Sequence, residues 1–533
     1  MDQSTYIDSL ESITANDLYD GLMLQGMFTE KLPKIFTMDD FCNCVKDGLI
    51  IKDSEFSKLV FNYIPYETMR DTNVPRLLAV PNPFAYHILC KFLSEHWEKI
   101  KNHFIDKTAK HLHKVSQIHI RKIKDSKCLF KLNYQEGNTK SELNIDLMLG
   151  KCYLVKTDIS SCFPSMYSHA LSWALVGKNY AKVNKGNSKE WYNKIDIYSR
   201  KISNNETHGF LIGPHTSNIL SEIILTSVDA QLADKYSYIR FIDDYSCYVN
   251  SYEEAQLFLI DLSKNLREYG LTLNHKKTKI VKLPIPLNED WIIQLNSINL
   301  NSNDDKISFS LIQNYLDKAI SLSQANEGKS TPLNYAIKTL SKYQYKLSER
   351  TQEYYIKRIL NLALLRPYLV TILDEFIFTP FSVNVVLLSD FIKRLYASGI
   401  EQANYEACIY ALYFATKYNQ NLDNQNIVSD SIGSDSCFFK LFAYLYLNHF
   451  QNKTQLKQLI NNHARELLND AKQNNKSNLI DENWIFIFEV LPISVLTSPW
   501  KKLALNGKKI SFIKPRNDWL TSSQLITEKI LNF

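Results

Sequence analysis

Three aspartates stand where apolar strand patterns end or turn. Asp158 closes the run that begins at Leu154, and Asp243 and Asp244 lie within Tyr238-Ile-Arg-Phe-Ile-Asp-Asp-Tyr-Ser-Cys-Tyr-Val. That pattern predicts a hairpin whose turn carries two acids. Adjacent aspartates are also ordinary turn residues, so the pair alone favours a plain turn over a site for chemistry.

A third carboxylate at the end of a separate strand changes that interpretation. Buried charges need a partner or a metal ion, and Mg²⁺ prefers hard oxygen ligands. Phosphoryl transfer to a hydroxyl commonly uses two divalent ions about 3.5–4 Å apart. The sequence therefore predicts that Asp158, Asp243 and Asp244 converge to hold two Mg²⁺ ions, with Mn²⁺ as an alternative.

The elements that must position these acids alternate between strand and helix patterns. Strands are predicted at 75–81 and 153–158 and on both sides of the acidic turn, and the residues around Ile118 alternate between apolar and basic. Helices are predicted at 84–93, 168–176, 216–232 and 253–269. Thr216 or Ser217 is the expected N-cap of the third helix, and Gly270 ends the fourth.

Helical periodicity dominates after about residue 305. Helices are predicted at 354–365, 383–396, 404–418, 438–450, 456–468 and 484–491. Helix following helix through short polar loops is typical of a bundle or an irregular solenoid. The predicted fold class is therefore α+β, with a large all-α, helical-repeat-like C-terminal domain over 305–533.

Composition restricts the class of protein without choosing a function. The 533 residues carry a formal net charge of +6 and are 45% hydrophobic and 22% charged, as in ordinary globular proteins. The mild basicity permits a nucleic-acid partner but does not require one. We expect no signal peptide, no membrane span and a cytoplasmic location, with the nine cysteines as free thiols.

Four ordered segments resemble the motifs of reverse transcriptases. Leu154-Val-Lys-Thr-Asp-Ile-Ser-Ser-Cys-Phe163 resembles motif A, and Gly209-Phe-Leu-Ile-Gly-Pro-His-Thr-Ser-Asn218 resembles motif B. Ile242-Asp-Asp244 resembles motif C, and Gly270-Leu-Thr-Leu-Asn-His-Lys-Lys-Thr278 resembles motif D. Pro75-Arg-Leu-Leu-Ala-Val-Pro81 is similar to the segment of the fingers that precedes motif A. The resemblance implies fingers within 1–150 and a palm over 151–290.

The resemblance also implies roles for single residues. Asp158 and Asp243 would bridge the metal ions, Asp244 would assist, and Ile159 would lend its backbone carbonyl. Phe163 stands at the family's ribose gate, which implies dNTPs as substrates; a core aromatic is the alternative. The remaining contacts to substrate or template would come from the following residues: Gly213, Ser217, Arg121, Lys122 and Lys277. A solvated side chain is an equally good interpretation of Lys277.

The wording of motifs A and B resembles one branch of that family. Leu211 stands where motif B usually has proline, and the Asp-Ile-Ser-Ser-Cys-Phe-Pro-Ser run and the long helical region resemble the abortive-infection (AbiK-like) phage-defence proteins of prokaryotes. That branch implies template-independent, protein-primed synthesis, DNA attached covalently to the enzyme, and a homo-oligomer, trimer or hexamer. Tyr6 and Tyr19 are candidate priming residues, although ordinary packing is favoured for each.

Three other functions stay open at this point. An RNA-templated reverse transcriptase with a noncoding RNA partner would keep the chemistry and change the partner. A non-catalytic scaffold would use the helical region as an interaction platform. An RNA polymerase is the third, and it conflicts with a bulky residue at position 163.

Overall fold

The computed structural model describes residues 3–48, 60–70, 74–111, 115–117, 120, 145–187, 189–300, 306–422, 426–450, 454–473 and 477–520. Arg121 and Lys122 and most of the alternating segment around Ile118 lie outside these ranges. Tyr6 falls within the first helix, but its side chain lies outside the described part.

The first part of the chain combines helices with a two-stranded hairpin. Its elements are α1 (Gln3–Glu11), α2 (Ala15–Gln25), α3 (Asp39–Lys46), β1 (Tyr63–Met69), β2 (Pro75–Pro81), α4 (Pro83–Glu95) and α5 (Trp97–Thr108). Asn82 determines where α4 begins, because its side chain accepts a hydrogen bond from Phe84 N (3.0 Å) and Pro83 occupies the first helical position. The strand and helix predicted here are both present.

An antiparallel four-stranded sheet follows, in the order β4-β5-β3-β6. The elements of this part are β3 (Tyr153–Asp158), α6 (Cys162–Ser165), α7 (Ala170–Val176), α8 (Lys178–Val183), α9 (Trp191–Lys201), α10 (His215–Ala230), β4 (Ser237–Phe241), β5 (Asp244–Val249), α11 (Tyr252–Glu268) and β6 (Lys279–Lys282). Helix α10 is buried along almost its whole length and packs on α5 and α7. It begins after Pro214, so the prediction of Thr216 or Ser217 as N-cap is wrong: both lie inside the first turn.

The last part is mainly helical. Its elements are α12 (Asp290–Asn296), α13 (Phe309–Ala325), α14 (Thr331–Ser341), α15 (Glu349–Leu365), α16 (Val370–Leu373), α17 (Val385–Glu401), α18 (Tyr405–Lys417), α19 (Ile427–Ile432), α20 (Cys437–His449), α21 (Thr454–Gln473), α22 (Ser477–Glu482), α23 (Trp484–Val490), β7 (Ala504–Leu505) and β8 (Lys508–Lys509). The small β7–β8 hairpin corrects the expectation that this part is entirely helical. Two-residue strands are too short to give a sequence pattern with period two.

The helical part is packed against the beginning of the chain. Thr37 N donates to Phe512 O (2.9 Å) and Lys514 N donates to Ile35 O (2.8 Å). The segment 511–514, called here the C-terminal strap, therefore pairs with a segment near the N-terminus. Helices α18, α20 and α22 also pack on β1. In the described part of the chain, no helix is both long and apolar enough for a membrane span.

Candidate active site

The sheet brings the strand-end acid and the acidic turn together. Asp158 is the last residue of β3 and lies directly opposite Asp244, the first residue of β5. Residues paired in this way on antiparallel strands have Cα atoms about 4.5–5.5 Å apart and share one face. Ile159 N donates to Asp243 O (3.1 Å), which fixes the turn to the end of β3. The three aspartates therefore meet at one edge of the sheet.

The turn itself has an unusual backbone conformation. Ile242, directly before the two acids, has φ of +54°. A β-branched residue in this left-handed region is an outlier, at a cost of about 1–3 kcal/mol that the surroundings must offset. The strain lies at the residue that aims Asp243.

A buried arginine stabilises that turn. Arg240 is fully buried and donates from Nη1 to Ile242 O (3.0 Å). Its guanidinium also donates to Asp229 Oδ2 (2.6 and 2.8 Å) and to both oxygens of Glu222 (3.1 and 3.2 Å), two acids on α10. Burial lowers the pKa of Arg240, but these carboxylates more than reverse the effect and keep it charged. Arg240 thus ties α10 to the acidic turn.

The segment that resembles motif D packs on Asp158. Asn274 N donates to Asp158 O (2.8 Å), and Thr278 Oγ1 bonds Thr157 Oγ1 (2.7 Å). The Lys277 ammonium forms an ion pair with Asp158 Oδ2, and this hydrogen bond raises the pKa of Lys277. The structure therefore places the Lys277 ammonium on a candidate metal ligand, while most of its side chain stays exposed.

The acids carry more negative charge than their neighbours neutralise. Asp158 Oδ1 is buried and has no hydrogen-bond partner within the described residues. Burial and the adjacent Asp244 raise the pKa of Asp243 to about 6. No group of three His, Cys, Asp or Glu side chains in the described ranges is already arranged as a metal cage. The orphaned oxygen and the hard carboxylate donors nevertheless fit Mg²⁺, which keeps several waters and takes few protein ligands.

A cavity of about 810 Å³ opens in front of these acids. Asp158, Ile159, Phe163 and Asp243 line it. Phe163 O accepts from Phe210 N (2.8 Å), so the chain beside the ring is bonded to the segment that resembles motif B. The volume falls within the about 300–1,000 Å³ range of small-molecule sites.

The lining of the cavity also includes two arginines that the sequence analysis did not name as site residues. Arg70 follows β1 and Arg76 lies on β2, and both line the cavity with Asp243. Burial and the neighbouring Arg70 lower the pKa of Arg76, while Asp243 acts in the opposite direction. Two guanidiniums and the carboxylates of Asp158 and Asp243, which line one cavity, suit an anion that carries its own cations, such as a metal-bound triphosphate. Arg76 lies in the segment that resembles the fingers, and this resemblance is the sequence feature that could have identified it.

The other predicted contact residues lie elsewhere or serve packing. Gly213 (φ +128°) borders β2, where an added Cβ would lie 3.0 Å from Ala79 O, so its close approach is to the hairpin backbone. Ser217 is buried within α10 and does not line the cavity. Tyr19 bonds His87 Nδ1 (2.8 Å) and does not line the cavity either.

Comparisons with known proteins agree with this geometry. Residues 87–340 match the family model described as "Reverse transcriptase (RNA-dependent DNA polymerase)". No curated protein matches the chain. The matched range starts within α4 and ends within α14, so it contains the sheet, the three aspartates and α10.

Solved telomerase structures are similar over parts of the chain. Apo telomerase of Candida tropicalis truncated from its C-terminal domain has 14% identity and a TM-score of 0.28, over 48% of this chain and 57% of its own. The apo telomerase of Candida tropicalis without that truncation has 13% identity and a TM-score of 0.31, over 80% and 74%. Telomerase of Candida albicans in complex with a TWJ fragment of telomeric RNA has 12% identity and a TM-score of 0.29, over 85% and 67%.

The assignment therefore rests on the family match. This chain spans little more than half, 57%, of the truncated Candida tropicalis telomerase. The matched segment includes the strand-end acid and the acidic turn that the sheet brings together. Residues 87–340 of this protein, just under half of the chain, match the reverse transcriptase family model.

Proposed function

We propose that this protein is a DNA polymerase of the reverse-transcriptase type that uses two Mg²⁺ ions held by Asp158, Asp243 and Asp244. The observation that carries the proposal is the pairing of Asp158 with Asp244 across β3 and β5, next to a cavity of about 810 Å³ that Asp158 and Asp243 line. The proposed regions are fingers within 1–150, a palm over 151–290 and a helical domain over 305–533.

The proposal gives each group that lines the cavity its own task. Bound Mg²⁺ ions would lower the pKa of the attacking hydroxyl and stabilise the charge of the triphosphate. Arg70 and Arg76, which line the same cavity, would bind phosphate oxygens through their N–H groups. Lys277, ion-paired with Asp158, would hold that carboxylate in place until the metal arrives. Together these groups orient a triphosphate with its reacting phosphorus toward the acids.

The central test removes one proposed metal ligand. Asp243→Ala should lower Mg²⁺-dependent dNTP incorporation by about 10³-fold or more, because a bound ion supplies several kcal/mol of charge stabilisation. Asp47→Ala removes an exposed aspartate that does not line the cavity and is the matched control. Incorporation by Asp243→Ala at the rate of the parent would contradict the proposal and favour the non-catalytic scaffold.

We propose that Phe163 selects deoxynucleotides. The half-buried ring lines the cavity beside Ile159, where bulk can exclude a 2′-hydroxyl. Phe163→Ala should raise the kcat/KM for ribonucleotides relative to deoxynucleotides, by about tenfold if the lost steric exclusion is about 1.4 kcal/mol. An unchanged ratio would return Phe163 to the role of a packing residue and favour an RNA polymerase.

The amino-acid sequences of motifs A and B support a more specific proposal about the mode of synthesis and its biological role. Asp-Ile-Ser-Ser-Cys-Phe-Pro-Ser from Asp158 and the helical region after residue 305 resemble the abortive-infection branch. We therefore propose untemplated, protein-primed synthesis in antiviral defence. Nuclease treatment of purified protein should leave covalently attached DNA of random or homopolymeric sequence. A single defined sequence would instead indicate copying of a noncoding RNA partner.

A further inference from the structure

The hairpin formed by β1 and β2 carries both arginines of the cavity wall. Arg70 directly follows the last residue of β1, and Arg76 lies opposite Thr68 in the register of the two strands. The position of the two guanidiniums therefore depends on how the 68–70 end of the hairpin is held. A two-stranded hairpin alone is only marginally stable in water.

A buried glutamate from the helical region holds that end of the hairpin. Glu406, in the first turn of α18, is 3% exposed. Its Oε1 accepts from Thr68 Oγ1 (2.6 Å) and from Tyr66 OH (3.2 Å), and its Oε2 accepts from Met69 N (2.8 Å). The bonded residues stand opposite Arg76 and next to Arg70. One side chain thus fixes the backbone from which both arginines extend.

Packing alone does not account for the choice of glutamate. Burial raises the pKa of Glu406, and the donors that reach its oxygens are hydroxyls and one backbone N–H rather than a cationic side chain. Even a buried ion pair is often replaced by apolar residues at no cost in stability, so burial of a charge does not by itself stabilise the fold. A carboxylate offers several lone pairs and can accept all three hydrogen bonds at once. Its benefit is a fixed geometry at the hairpin end.

The same hairpin is held at its root by a second set of acids. Asp481 accepts from Asn62 N (2.7 Å) and from Asn82 Nδ2 (2.8 Å), and Glu482 accepts from Asn62 Nδ2 (2.9 Å). These residues lie just outside β1 and β2, at the end away from the arginines. The helical region therefore forms hydrogen bonds with both ends of the hairpin, and Glu406 forms those at the end that carries the arginines.

We propose that Glu406 is a positioning residue for triphosphate binding: the helical region uses it to set the places of Arg70 and Arg76 in the nucleotide cavity. The inference rests on the proposed polymerase function, and it gives the helical region a part in substrate binding. Loss of the contact should weaken binding of the nucleotide more than it slows the chemical step, because the metal ligands lie on a different sheet.

The test is steady-state incorporation of dTTP with Mg²⁺ by the full-length protein. Glu406→Gln keeps the size of the side chain but turns one acceptor into an NH₂ group that faces a donor. It should raise the KM for dTTP about tenfold, the equivalent of one lost charge-assisted hydrogen bond, with kcat within about twofold. Thr68→Val removes one donor without leaving a buried charge unbonded and should raise KM in the same direction.

Glu489→Gln is the matched control. Glu489 of α23 also accepts from a hydroxyl, Ser511 Oγ (3.0 Å), and from a backbone N–H, that of Phe512 (2.7 Å), but these belong to the C-terminal strap. This variant should match Glu406→Gln in lost stability while the KM for dTTP stays at the parent value. A structural effect shared by both variants would change KM equally and would overturn the proposal.

A double-mutant cycle with Arg76→Lys separates positioning from general damage. If Glu406 acts through the arginines, the effect of Arg76→Lys on KM should shrink in the Glu406→Gln background. Additive effects, or a fall in kcat with KM unchanged, would overturn the inference. Should Glu406→Gln fail to fold, Thr68→Val in the same cycle decides. If Asp243→Ala is inactive but Glu406→Gln and Thr68→Val leave the KM unchanged, only the inference about Glu406 is wrong. If Asp243→Ala is active, the polymerase proposal itself is wrong.

Discussion

Two groups of acids lie near the same sheet, one on α10 beside Arg240 of β4 and one where β3 ends and β5 begins, and they are neutralised in different ways. Glu222 and Asp229 share the guanidinium of Arg240, with every N···O distance at or below 3.2 Å. Among the described residues, the exposed Lys277 is the one cation paired with Asp158, and one Asp158 oxygen is buried without a hydrogen-bond partner there.

The difference indicates which group serves structure and which serves chemistry. A buried ion network with all its bonds made can hold two elements in one arrangement. Acids that are left with unsatisfied oxygens gain from a cation that the protein itself does not supply. The Arg240 network therefore fixes the acidic turn, and the acids at the cavity are the proposed ligands of Mg²⁺.

The largest expected effect comes from removing a carboxylate at the cavity. Asp158→Asn should lower Mg²⁺-dependent dNTP incorporation by about 10³-fold or more, since a neutral amide is a poor ligand for a metal bridge. Asp229→Asn makes the same chemical change in the Arg240 network and should stay within about tenfold of the parent. Equal losses in the two variants would remove the functional distinction between the two groups of acids. Incorporation of labelled dNTP per folded molecule measures both.

The next effect concerns folding rather than activity. Arg240→Met leaves Glu222 and Asp229 buried without their cation, and breaking such a network typically costs about 3–5 kcal/mol. Urea unfolding should show this loss, with Arg240→Lys intermediate because it keeps the charge but cannot reproduce the five-donor guanidinium. A free energy of unfolding equal to that of the parent would mean that Arg240 does not stabilise the two acids.

Mg²⁺ itself should stabilise the parent much more than a variant that lacks a proposed metal ligand. A ligand that binds only the folded state at about 100 times its Kd adds about 2.7 kcal/mol. The melting temperature of the parent should therefore rise with Mg²⁺ and fall back when EDTA is added. Asp158→Asn should show a much smaller rise, and Arg240→Lys should keep it. A rise of the same size in Asp158→Asn would place the ion elsewhere.

Local patterns account for what the sequence predicted well. The apolar run that ends at Asp158 predicted the strand observed at Tyr153–Asp158, and the helix predicted at 484–491 is observed at Trp484–Val490. Burial on one face leaves a regular spacing of apolar residues, and burial on all sides leaves a continuous apolar run. The order of the four motif-like segments was likewise visible, because each is a contiguous stretch of residues.

Contacts between distant residues left no such trace. Thr68 and Glu406 are 338 positions apart, and nothing in either local sequence indicates that they bond. Arg240 reads as one polar residue in an apolar strand, although it is fully buried between two acids of α10. The triphosphate contacts expected at Arg121 and Lys122 lie outside the described residues. The contacts proposed for Arg70 and Arg76 depend on a cavity lined by separate segments of the chain, which no local sequence pattern indicates.

The smallest effect tests the charge at the cavity directly, in the absence of metal. Burial and Asp244 raise the pKa of Asp243 to about 6 from its ordinary 3.8. The unfolded chain therefore loses this proton at lower pH than the folded chain, and stability falls as pH rises from about 4 through 6. Asp243→Asn cannot ionise, so with EDTA present it should be more stable than the parent at pH 7, by about 1 kcal/mol after allowance for solvent screening.

The same pair of proteins should differ little at pH 4, where Asp243 is protonated in the folded state and that cost is absent. Urea unfolding at pH 4 and pH 7 measures the difference. Saturating Mg²⁺ at pH 7 should reverse the order, because the ion stabilises only the parent. A variant that is less stable than the parent in EDTA at pH 7 would mean that Asp243 is held by contacts within the protein, and the two groups of acids would then no longer differ in kind.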